Sequence, residues 1–282
     1  MPARLAKNHG LKYVTTKRDN ISLERFPDFF IAGPQRTGTT WLYKNLVTHP
    51  QIFLSRRKEI YYFNMLQLPH DRHFKSTDLG WYLSNFRDSP IQYFNKWRFC
   101  KKTYGKSYRP LVRGEATASY AAMREEIIDE VINLKPDIKV IIMVRDPIQR
   151  GWSHAKKDLV KRTKLSSTDE VDPAEVEKFL LHHYQVRCGN YTHSIDAWSS
   201  RLPEGHVLVR RFDDVSNDPV QLLRDIYEFL GVEYDPMYVQ NAQKRINPTH
   251  AETIPERYRE ILHNTFADEL KRLDERYGYR WD

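Results

Sequence analysis

The pattern of apolar residues predicts five short strands. Unbroken apolar runs are typical of strands that are buried on both faces of a sheet. The clearest run covers residues 139–144 and ends at Arg145. The other predicted strands cover residues 29–32, 51–54, 111–115 and 206–210.

Helical spacing of apolar residues is found between these strands. In residues 219–230, Val220, Leu223 and Ile226 share one face, and Gly231 follows as a stop signal. The other predicted helices cover residues 41–49, 125–134, 148–159, 175–184, 191–202 and 255–277. The remaining segments are predicted to be a loose basic arm (1–26), an irregular aromatic-rich region with a helix opening near residue 81 (66–110), a mobile surface loop (161–173) and a loop-like stretch (232–254).

Strands that alternate with helices predict an α/β fold in which a central parallel sheet is flanked by helices. A chain of 282 residues is long enough for one large domain, which we place at residues 27–282, after the basic arm 1–26. In parallel sheets the ligand binds beyond the carboxyl ends of the strands. Segments 33–40 and 210–213, together with Glu115 and Arg145, follow such ends, so we expect them to converge on one site.

The segment after the first apolar run has the spacing of a phosphate-binding loop. Gly33 and Gly38 match the pattern G-x-x-x-x-G, and threonines follow at the start of the helix. Such a loop directs backbone N–H groups at an anion, and the helix dipole adds positive charge. A Walker A loop has lysine where this chain has Thr39, and the basic residue here is Arg36, inside the loop. The sequence therefore predicts a P-loop-like nucleotide-binding fold that differs from an Mg-nucleotide hydrolase. A strand–turn–helix unit without a ligand is the alternative.

Composition favours an anionic ligand and a reducing compartment. The formal net charge of +8 gives a basic surface, which attracts nucleotides, acidic glycans, nucleic acid or lipid head groups. Cys100 and Cys188 do not form a disulfide framework. The N-terminus lacks the apolar core of a signal peptide, and no apolar run reaches the length of a membrane span. We therefore expect a cytoplasmic protein with no stable membrane insertion; a luminal domain without its anchor is the alternative.

Three motifs, in this order along the chain, resemble the sulfotransferases that use 3′-phosphoadenosine 5′-phosphosulfate (PAPS). The motifs are the loop 33–40, the segment Lys58-Glu59-Ile60-Tyr61-Tyr62-Phe63, and Val144-Arg145-Asp146-Pro147 with Ser153. The resemblance is to the heparan-sulfate-type branch and its bacterial relatives, and it covers about residues 28 to 230. It implies a single α/β domain that takes PAPS as co-substrate, releases 3′-phosphoadenosine 5′-phosphate (PAP) and requires no metal.

The resemblance also implies roles for individual residues. Arg36 takes the place of the family's loop lysine, which contacts the 5′-phosphate and the sulfuryl bridge, and Glu59 matches the family's proposed general base. Arg145 and Ser153 match the pair that binds the 3′-phosphate. The other residues implied in nucleotide binding are Thr37, Gly38, Thr39, Thr40, Trp41 (with its ring in the core), Lys244 and Arg245. Tyr191 and His193 lie in a segment that resembles the lining of an acceptor cleft.

Two departures from the family pattern change which residues are expected to stabilise the leaving group and to act as general base. Heparan-sulfate enzymes often follow the acid at Glu115 with a lysine that assists catalysis, whereas this chain has Ala116. Arg36 is therefore expected to carry more of the stabilisation. The histidine motif of the cytosolic small-molecule sulfotransferases is not evident, which leaves Glu59 as the candidate base.

The resemblance implies transfer of a sulfuryl group to a hydroxyl or amine of a glycan or small molecule, and we expect no nucleic-acid partner. In-line displacement at sulfur is analogous to phosphoryl transfer, in which the protein positions groups and stabilises charge. Each residue has a simpler alternative: Glu59 as a surface ion pair with a neighbouring basic residue, Arg145 as a structural partner of Asp146, and His193 as an ordinary helix histidine.

Two other functions compete with this interpretation. A P-loop small-molecule kinase would need the lysine after Gly38 that the chain lacks. A non-catalytic module that binds glycans or nucleic acid would use basic residues interleaved with aromatic ones, as in residues 56–62 and 96–104. That alternative does not explain the loop 33–40.

Overall fold

The centre of the fold is a parallel sheet of five strands. The computed structural model describes residues 4–6, 10–165, 167–244 and 253–281. The strands are β1 (Arg4–Leu5), β2 (Ile21–Ser22), β3 (Phe29–Ile31), β4 (Ile52–Leu54), β5 (Val112–Ala116), β6 (Lys139–Val144) and β7 (Val207–Arg211). The sheet has the order β4-β5-β3-β6-β7, and all its neighbouring strands are parallel. β1 and β2 form a separate antiparallel pair.

Helices connect the parallel strands and cover both faces of the sheet. The α-helices are α1 (Thr39–Leu46), α2 (Leu79–Leu83), α3 (Pro90–Tyr104), α4 (Glu125–Leu134), α5 (Pro147–Thr163), α6 (Pro173–Leu180), α7 (His183–Gly189), α8 (Tyr191–Ser199), α9 (Asp214–Asn217), α10 (Pro219–Leu230) and α11 (Glu256–Tyr277). Short 3₁₀ turns lie at Phe63–Met65, Ala118–Ala122, Thr168–Glu170 and Pro236–Val239. The predicted α/β fold is therefore confirmed.

Alternate residues of the central strands pack into different apolar layers. Phe30 and Ile142 belong to the layer that includes residues of α4 and α8. Phe29 and Ile141 belong to the opposite layer, which includes residues of α1 and α10. Because both faces are covered, β3, β4 and β6 after Lys139 read as continuous apolar runs. A third cluster joins α5, α6 and α11.

The register of the sheet brings the carboxyl ends of its strands to one edge. Ile31, the last residue of β3, is opposite Ala116 of β5 and Ile141 of β6. β6 continues to Val144, which is opposite Arg211 of β7. The segments that follow these strands therefore leave the sheet close to one another, as the strand pattern predicted.

The predicted loose arm is wrong for residues 10–26, which pack against the domain. The carboxylate of Glu130 on α4 accepts hydrogen bonds from the backbone N–H groups of Lys12, Tyr13 and Val14. Val14 and Phe26 are buried in the same layer as Phe30. Composition did not indicate this because the contact is made by backbone groups to a carboxylate more than a hundred residues away.

Two predicted irregular regions contain regular structure. Residues 66–110 include α3, a fifteen-residue helix that starts with a capping box of Ser89 and Gln92 and ends at Gly105 with φ +69°. The helix predicted to open near residue 81 is α2, which instead ends at Leu83. The predicted loop 161–173 begins inside α5, which continues to Thr163.

The helix predicted at 175–184 is divided into α6 and α7, because α6 ends at Leu180 and α7 starts at His183. No helix among the described residues has both the length and the apolar composition needed to cross a membrane.

Candidate active site

The loop between β3 and α1 requires glycine at both ends. A Cβ atom added to Gly33 would lie 2.7 Å from the backbone nitrogen of Met143 on the neighbouring strand. Gly38 has φ +87°, and a Cβ atom there would lie 2.9 Å from the ring of Phe212. Gly38 is also the N-terminal cap of α1 and has no side chain to occupy the free N–H groups of the first helical turn. The loop therefore presents backbone donors at a helix N-terminus, which suits an anion.

Arg36 connects this loop to β6 and α5. Its backbone is left-handed, with φ +74°. Its Nε donates a hydrogen bond of 2.8 Å to the Ser153 hydroxyl, and Arg145 donates one of 3.1 Å to the Arg36 carbonyl oxygen. Burial lowers the pKa of Arg36, and the nearby positive charge of Arg145 lowers it further. Two arginine side chains that influence each other's charge in this way are typical of a site for an anion that carries more than one charge.

Arg145 and Ser153 lie at the start of α5. Asp146 caps this helix by accepting a hydrogen bond of 2.8 Å from the Ile148 N–H. The Arg145 guanidinium lies 4.8 Å from the centre of the Phe212 ring, and burial lowers the pKa of Arg145. The structure therefore brings together Arg36, Arg145 and Ser153, as the sequence predicted. Of the predicted segment 210–213, Phe212 reaches this point.

The remaining loop residues have different environments. The Thr37 hydroxyl donates to the Pro34 carbonyl oxygen at 2.7 Å, so this side chain holds the loop closed. Thr39 is buried and Thr40 is half-buried in the first turn of α1. The Trp41 ring is in the core, as expected, and its Nε1 donates to the Ala242 carbonyl oxygen at 3.0 Å. The hydroxyl of Thr37 is therefore committed within the loop, which corrects the expectation that it faces a phosphate.

The Trp41 contact fixes the segment that leads to Lys244 and Arg245, two residues implied in nucleotide binding. Ala242 lies two residues before Lys244, whose backbone N–H donates to the Asn241 carbonyl oxygen and whose side chain is exposed. Lys244 is therefore held near the N-terminal turn of α1. Arg245 lies outside the described residues.

Glu59 is held at the carboxyl end of β5. Its backbone N–H donates to the Ala116 carbonyl oxygen at 2.8 Å, and its Oε2 accepts from the Ala118 N–H at 3.0 Å. Its Oε1 pairs with the Lys58 ammonium group. The side chain remains 22% exposed. The Lys58 pair matches the simple alternative for Glu59, but the bond to Ala118 also fixes the carboxylate against the sheet edge.

A second carboxyl group, Glu115, is buried next to this position. It accepts hydrogen bonds from the Thr117 hydroxyl at 2.7 Å and the Tyr82 hydroxyl at 2.5 Å. Thr117 Oγ1 in turn accepts from the Ile60 N–H at 3.1 Å. Burial raises the pKa of Glu115 to about 7, and the charge of Glu59 adds to the rise, whereas the hydroxyl donors oppose it. Glu115 therefore supports the segment that carries Glu59.

The pKa of Glu115 predicts a pH-dependent loss of stability. The unfolded chain releases this proton near the ordinary pKa of 4.5, whereas the folded chain holds it to about 7. Between these values the folded state binds more protons, so raising the pH favours unfolding. We expect the free energy of unfolding of the wild type to fall by about 3 kcal/mol relative to Glu115→Gln across this range. Urea unfolding of both proteins at several pH values measures this difference; a difference that stays constant would contradict the prediction.

A cleft of about 1160 Å³ opens beside Arg36. Its walls are formed by loop residues Gln35 and Arg36, by the segments 61–73 and 119–127, and by helices α5 to α7. Its charged side chains are Arg36, Arg72, Arg124, Lys157, Lys161, Arg162, Lys178 and Arg187, against Asp71, Asp158 and Glu175. The excess of basic groups gives the cleft a positive potential, which attracts anionic molecules.

Of the residues predicted to contact the acceptor, neither Tyr191 nor His193 lines this cleft, and the predicted base Glu59 is not among its described lining residues. Tyr191 is buried in the core, where its hydroxyl lies close to the Arg145 backbone. His193 is exposed on α8. The acceptor role of these two residues is therefore not supported, because the first turn of α8 directs Tyr191 inward and His193 to solvent outside the cleft.

Sequence reasoning missed Lys157 and Gln35. Lys157 lies one helical turn after Ser153 and lines the cleft. Although it reaches solvent, partial burial lowers the pKa of Lys157, and the charge of Arg36 lowers it further, whereas Glu59 opposes the effect. Gln35 Nε2 donates to the Tyr184 hydroxyl at 2.6 Å, which fixes the loop against α7. The i, i+4 spacing from Ser153 was a signal for Lys157, but no sequence pattern linked Gln35 to Tyr184.

The sequence pattern that defines the sulfotransferase family matches residues 27–236. The chain belongs to the sulfotransferase family. This match confirms the family resemblance and includes the loop, Glu59, Arg145 and Ser153.

Individual relatives of this sulfotransferase-family chain are distant. Human bifunctional heparan sulfate N-deacetylase/N-sulfotransferase 3 (Homo sapiens) is 26% identical over 221 residues, which are 74% of this chain and 23% of that protein. Heparan sulfate glucosamine 3-O-sulfotransferase 3B1 of Mus musculus is 23% identical over 212 residues, which are 74% of this chain and 47% of that protein. The chain thus spans about a quarter and about half of the lengths of these two relatives.

A solved structure covers the fold more completely. The sulfotransferase from Alicyclobacillus acidocaldarius has a TM-score of 0.62 and 26% sequence identity, and the match covers 90% of this chain and 97% of that one. The single-domain α/β architecture is therefore that of a sulfotransferase.

Proposed function

We propose that this protein transfers a sulfuryl group from PAPS to a hydroxyl or amine of a carbohydrate or small-molecule acceptor. The observation that carries the proposal is the contact of Arg36 with both Arg145 and Ser153, next to the free N-terminus of α1. PAPS carries a 5′-phosphosulfate and a 3′-phosphate, so it needs two anion-binding groups in one site. ATP has no 3′-phosphate and would leave one of them without a ligand.

The residues present fit this co-substrate. Gly33 and Gly38 leave space where a Cβ atom would intrude, and the N–H groups of the first turn of α1 suit the 5′-phosphate. Arg36 stabilises the negative charge that builds on the bridging oxygen, because its fork donates two hydrogen bonds to a phosphate. Arg145 and Ser153 bind the 3′-phosphate. When it is bound, the co-substrate supplies the sulfuryl group and a phosphate leaving group.

Glu59 acts as the general base. The acceptor hydroxyl or amine attacks sulfur, its proton passes to the Glu59 carboxylate, and the bond from sulfur to the bridging oxygen breaks, which releases PAP. The bond from Ala118 N–H to Oε2 holds the carboxylate in place, and the partly exposed side chain receives the proton from the acceptor. Lys157, which interacts electrostatically with both Glu59 and Arg36, adds positive charge between base and loop.

The charge of the cleft favours an anionic acceptor. Eight basic and three acidic side chains line it, so a carboxylated, phosphorylated or sulfated molecule is attracted and a cationic one is repelled. The aromatic side chains of Tyr61, Phe179 and Tyr184 also line the cleft and offer flat surfaces for a sugar ring or another planar group.

Calorimetric titration with PAP and with Mg-ATP tests the donor assignment. We expect the wild type to bind PAP with clear preference, and Arg145→Ala to weaken PAP binding about a hundredfold, because a half-buried charge partner is lost. Arg201→Ala is the matched control, since that guanidinium pairs with Asp129 and Glu125 away from the loop. Preference for Mg-ATP would favour the kinase, and binding of neither nucleotide would favour a non-catalytic module.

A further inference from the structure

The helix α3 exposes an unusual concentration of apolar side chains. Of the nine large hydrophobic side chains that are exposed among the described residues, five lie on this helix: Ile91, Tyr93, Phe94, Trp97 and Phe99. Ile91 is 74% exposed and Phe94 is 55% exposed. Cys100 and Tyr104 anchor the helix in the layer beside α1. Tyr93 lies on this anchored side, where its hydroxyl donates to the Tyr108 carbonyl oxygen at 3.2 Å, whereas Ile91 lies on the opposite side. The exposed side is therefore a stable surface of a fixed helix.

The same side of α3 is basic in its second half. Ile91, Phe94, Arg98 and Lys101 follow one another at intervals of three and four residues, so they form one stripe along the helix. Arg98, Lys101 and Lys102 are exposed, and within the described part of the chain none of them forms an ion pair. The helix contains no acidic residue. The remaining basic residue, Lys96, is half-buried and pairs with Asp88.

We propose that α3 docks the protein on a membrane surface that contains anionic lipids. A helix with exposed Ile, Phe and Trp beside Lys and Arg matches the composition of helices that lie in the membrane interface. The aliphatic Ile91 favours lipid over a glycan or a nucleic acid, because those partners use stacking on aromatic rings. Trp97 and Phe94, whose stacked rings have centroids 6.0 Å apart, suit the interfacial layer.

Charge complementarity favours an anionic lipid surface over a second copy of this chain as the partner of α3. A second copy that paired through the same stripe would bury Arg98, Lys101 and Lys102 against a helix that offers no carboxylate. An anionic lipid surface neutralises these groups. Among the described residues that line the cleft beside Arg36, none belongs to α3, so docking through α3 uses none of the cleft's own side chains.

Vesicle co-sedimentation tests the proposal with the whole 282-residue chain. We expect binding to vesicles of phosphatidylcholine mixed with phosphatidylglycerol, and at least about tenfold weaker binding to vesicles of phosphatidylcholine alone. Neutralising the three basic residues (Arg98→Gln, Lys101→Gln, Lys102→Gln) is expected to weaken binding about a hundredfold, since each basic group near an anionic surface contributes about fivefold. The double variant Ile91→Ser, Phe94→Ser removes the apolar contact and is also expected to reduce binding at least about tenfold.

Matched control variants distinguish docking through α3 from non-specific attraction of a basic protein to anionic vesicles. Lys17→Gln, Arg18→Gln and Arg25→Gln remove the same charge from exposed positions in the N-terminal segment, and Leu181→Ser removes a comparably exposed apolar side chain. These variants are expected to bind as the wild type does. Circular dichroism is used to check that each variant is folded. Absence of binding to anionic vesicles, or equal loss in the α3 and control variants, would overturn the proposal. A concentration-dependent dimer in analytical ultracentrifugation that Ile91→Ser, Phe94→Ser abolishes would assign the surface to a second copy instead.

Discussion

Glu59→Gln is expected to lower turnover by about 10²- to 10⁴-fold, because the acceptor loses its general base. The amide keeps the size of the side chain, and its oxygen can still accept the hydrogen bond from Ala118. PAP binding is therefore expected to stay close to the wild-type value. Release of PAP from PAPS, measured with a panel of anionic and neutral acceptors, gives turnover, and calorimetry gives the binding constant.

The exposed Glu204→Gln serves as the control for this substitution, since Glu204 lies in the turn before β7. Near-wild-type turnover in Glu59→Gln would remove Glu59 from the mechanism and leave it as the ion-pair partner of Lys58. Loss of PAP binding together with turnover would assign Glu59 a structural role in the donor site.

Removal of the Arg36 side chain is expected to reduce turnover by about 10²- to 10³-fold, the effect of deleting one donor to the developing negative charge. Arg36→Gly is the most informative variant, because glycine adopts the left-handed backbone of this position without strain. The loop conformation is then preserved while the guanidinium is lost. Turnover and PAP binding are both measured, since Arg36 also contacts Ser153 of the 3′-phosphate pair.

Arg36→Lys tests whether charge alone is sufficient. Lysine keeps the positive charge but loses the fork that reaches both a phosphate and Ser153, so we expect partial recovery of turnover relative to Arg36→Gly. Equal activity of the glycine variant and the wild type would show that the backbone donors of α1 stabilise the leaving group without Arg36.

Some elements were predictable to the residue because several signals agree. β6 is an unbroken apolar run, and α10 combines helical spacing, proline in its first turn and Gly231 at its end. The predictions for α3 failed because the aromatic and basic residues on its exposed side hide the helical period. Its capping signals, Ser89 with Gln92 and the glycine at 105, were present in the sequence.

The residues of the candidate site likewise include some that the sequence predicted and others that it did not. The sequence predicted that Arg36, Arg145 and Ser153 lie together. Parallel strands end at one edge of the sheet, and the family resemblance assigned all three residues to the nucleotide site. The support around Glu115 was not predictable, since Tyr82 reaches it from a helix thirty-three residues earlier in the chain. Tyr191 and His193 failed because helical phase, which short motifs do not define, decides which side chain faces inward.

Three residues of the site have a left-handed backbone conformation that residues other than glycine rarely adopt. Arg36, Glu59 and Tyr61 have φ values of +74°, +63° and +58°. Each such position costs of the order of 1 kcal/mol of folding free energy. Directed evolution that selects only for heat resistance would therefore favour glycine or asparagine at these positions. The protein would gain thermal stability but lose side chains of the sulfotransferase site. Thermostable variants of this protein should therefore be sought with these three codons held fixed.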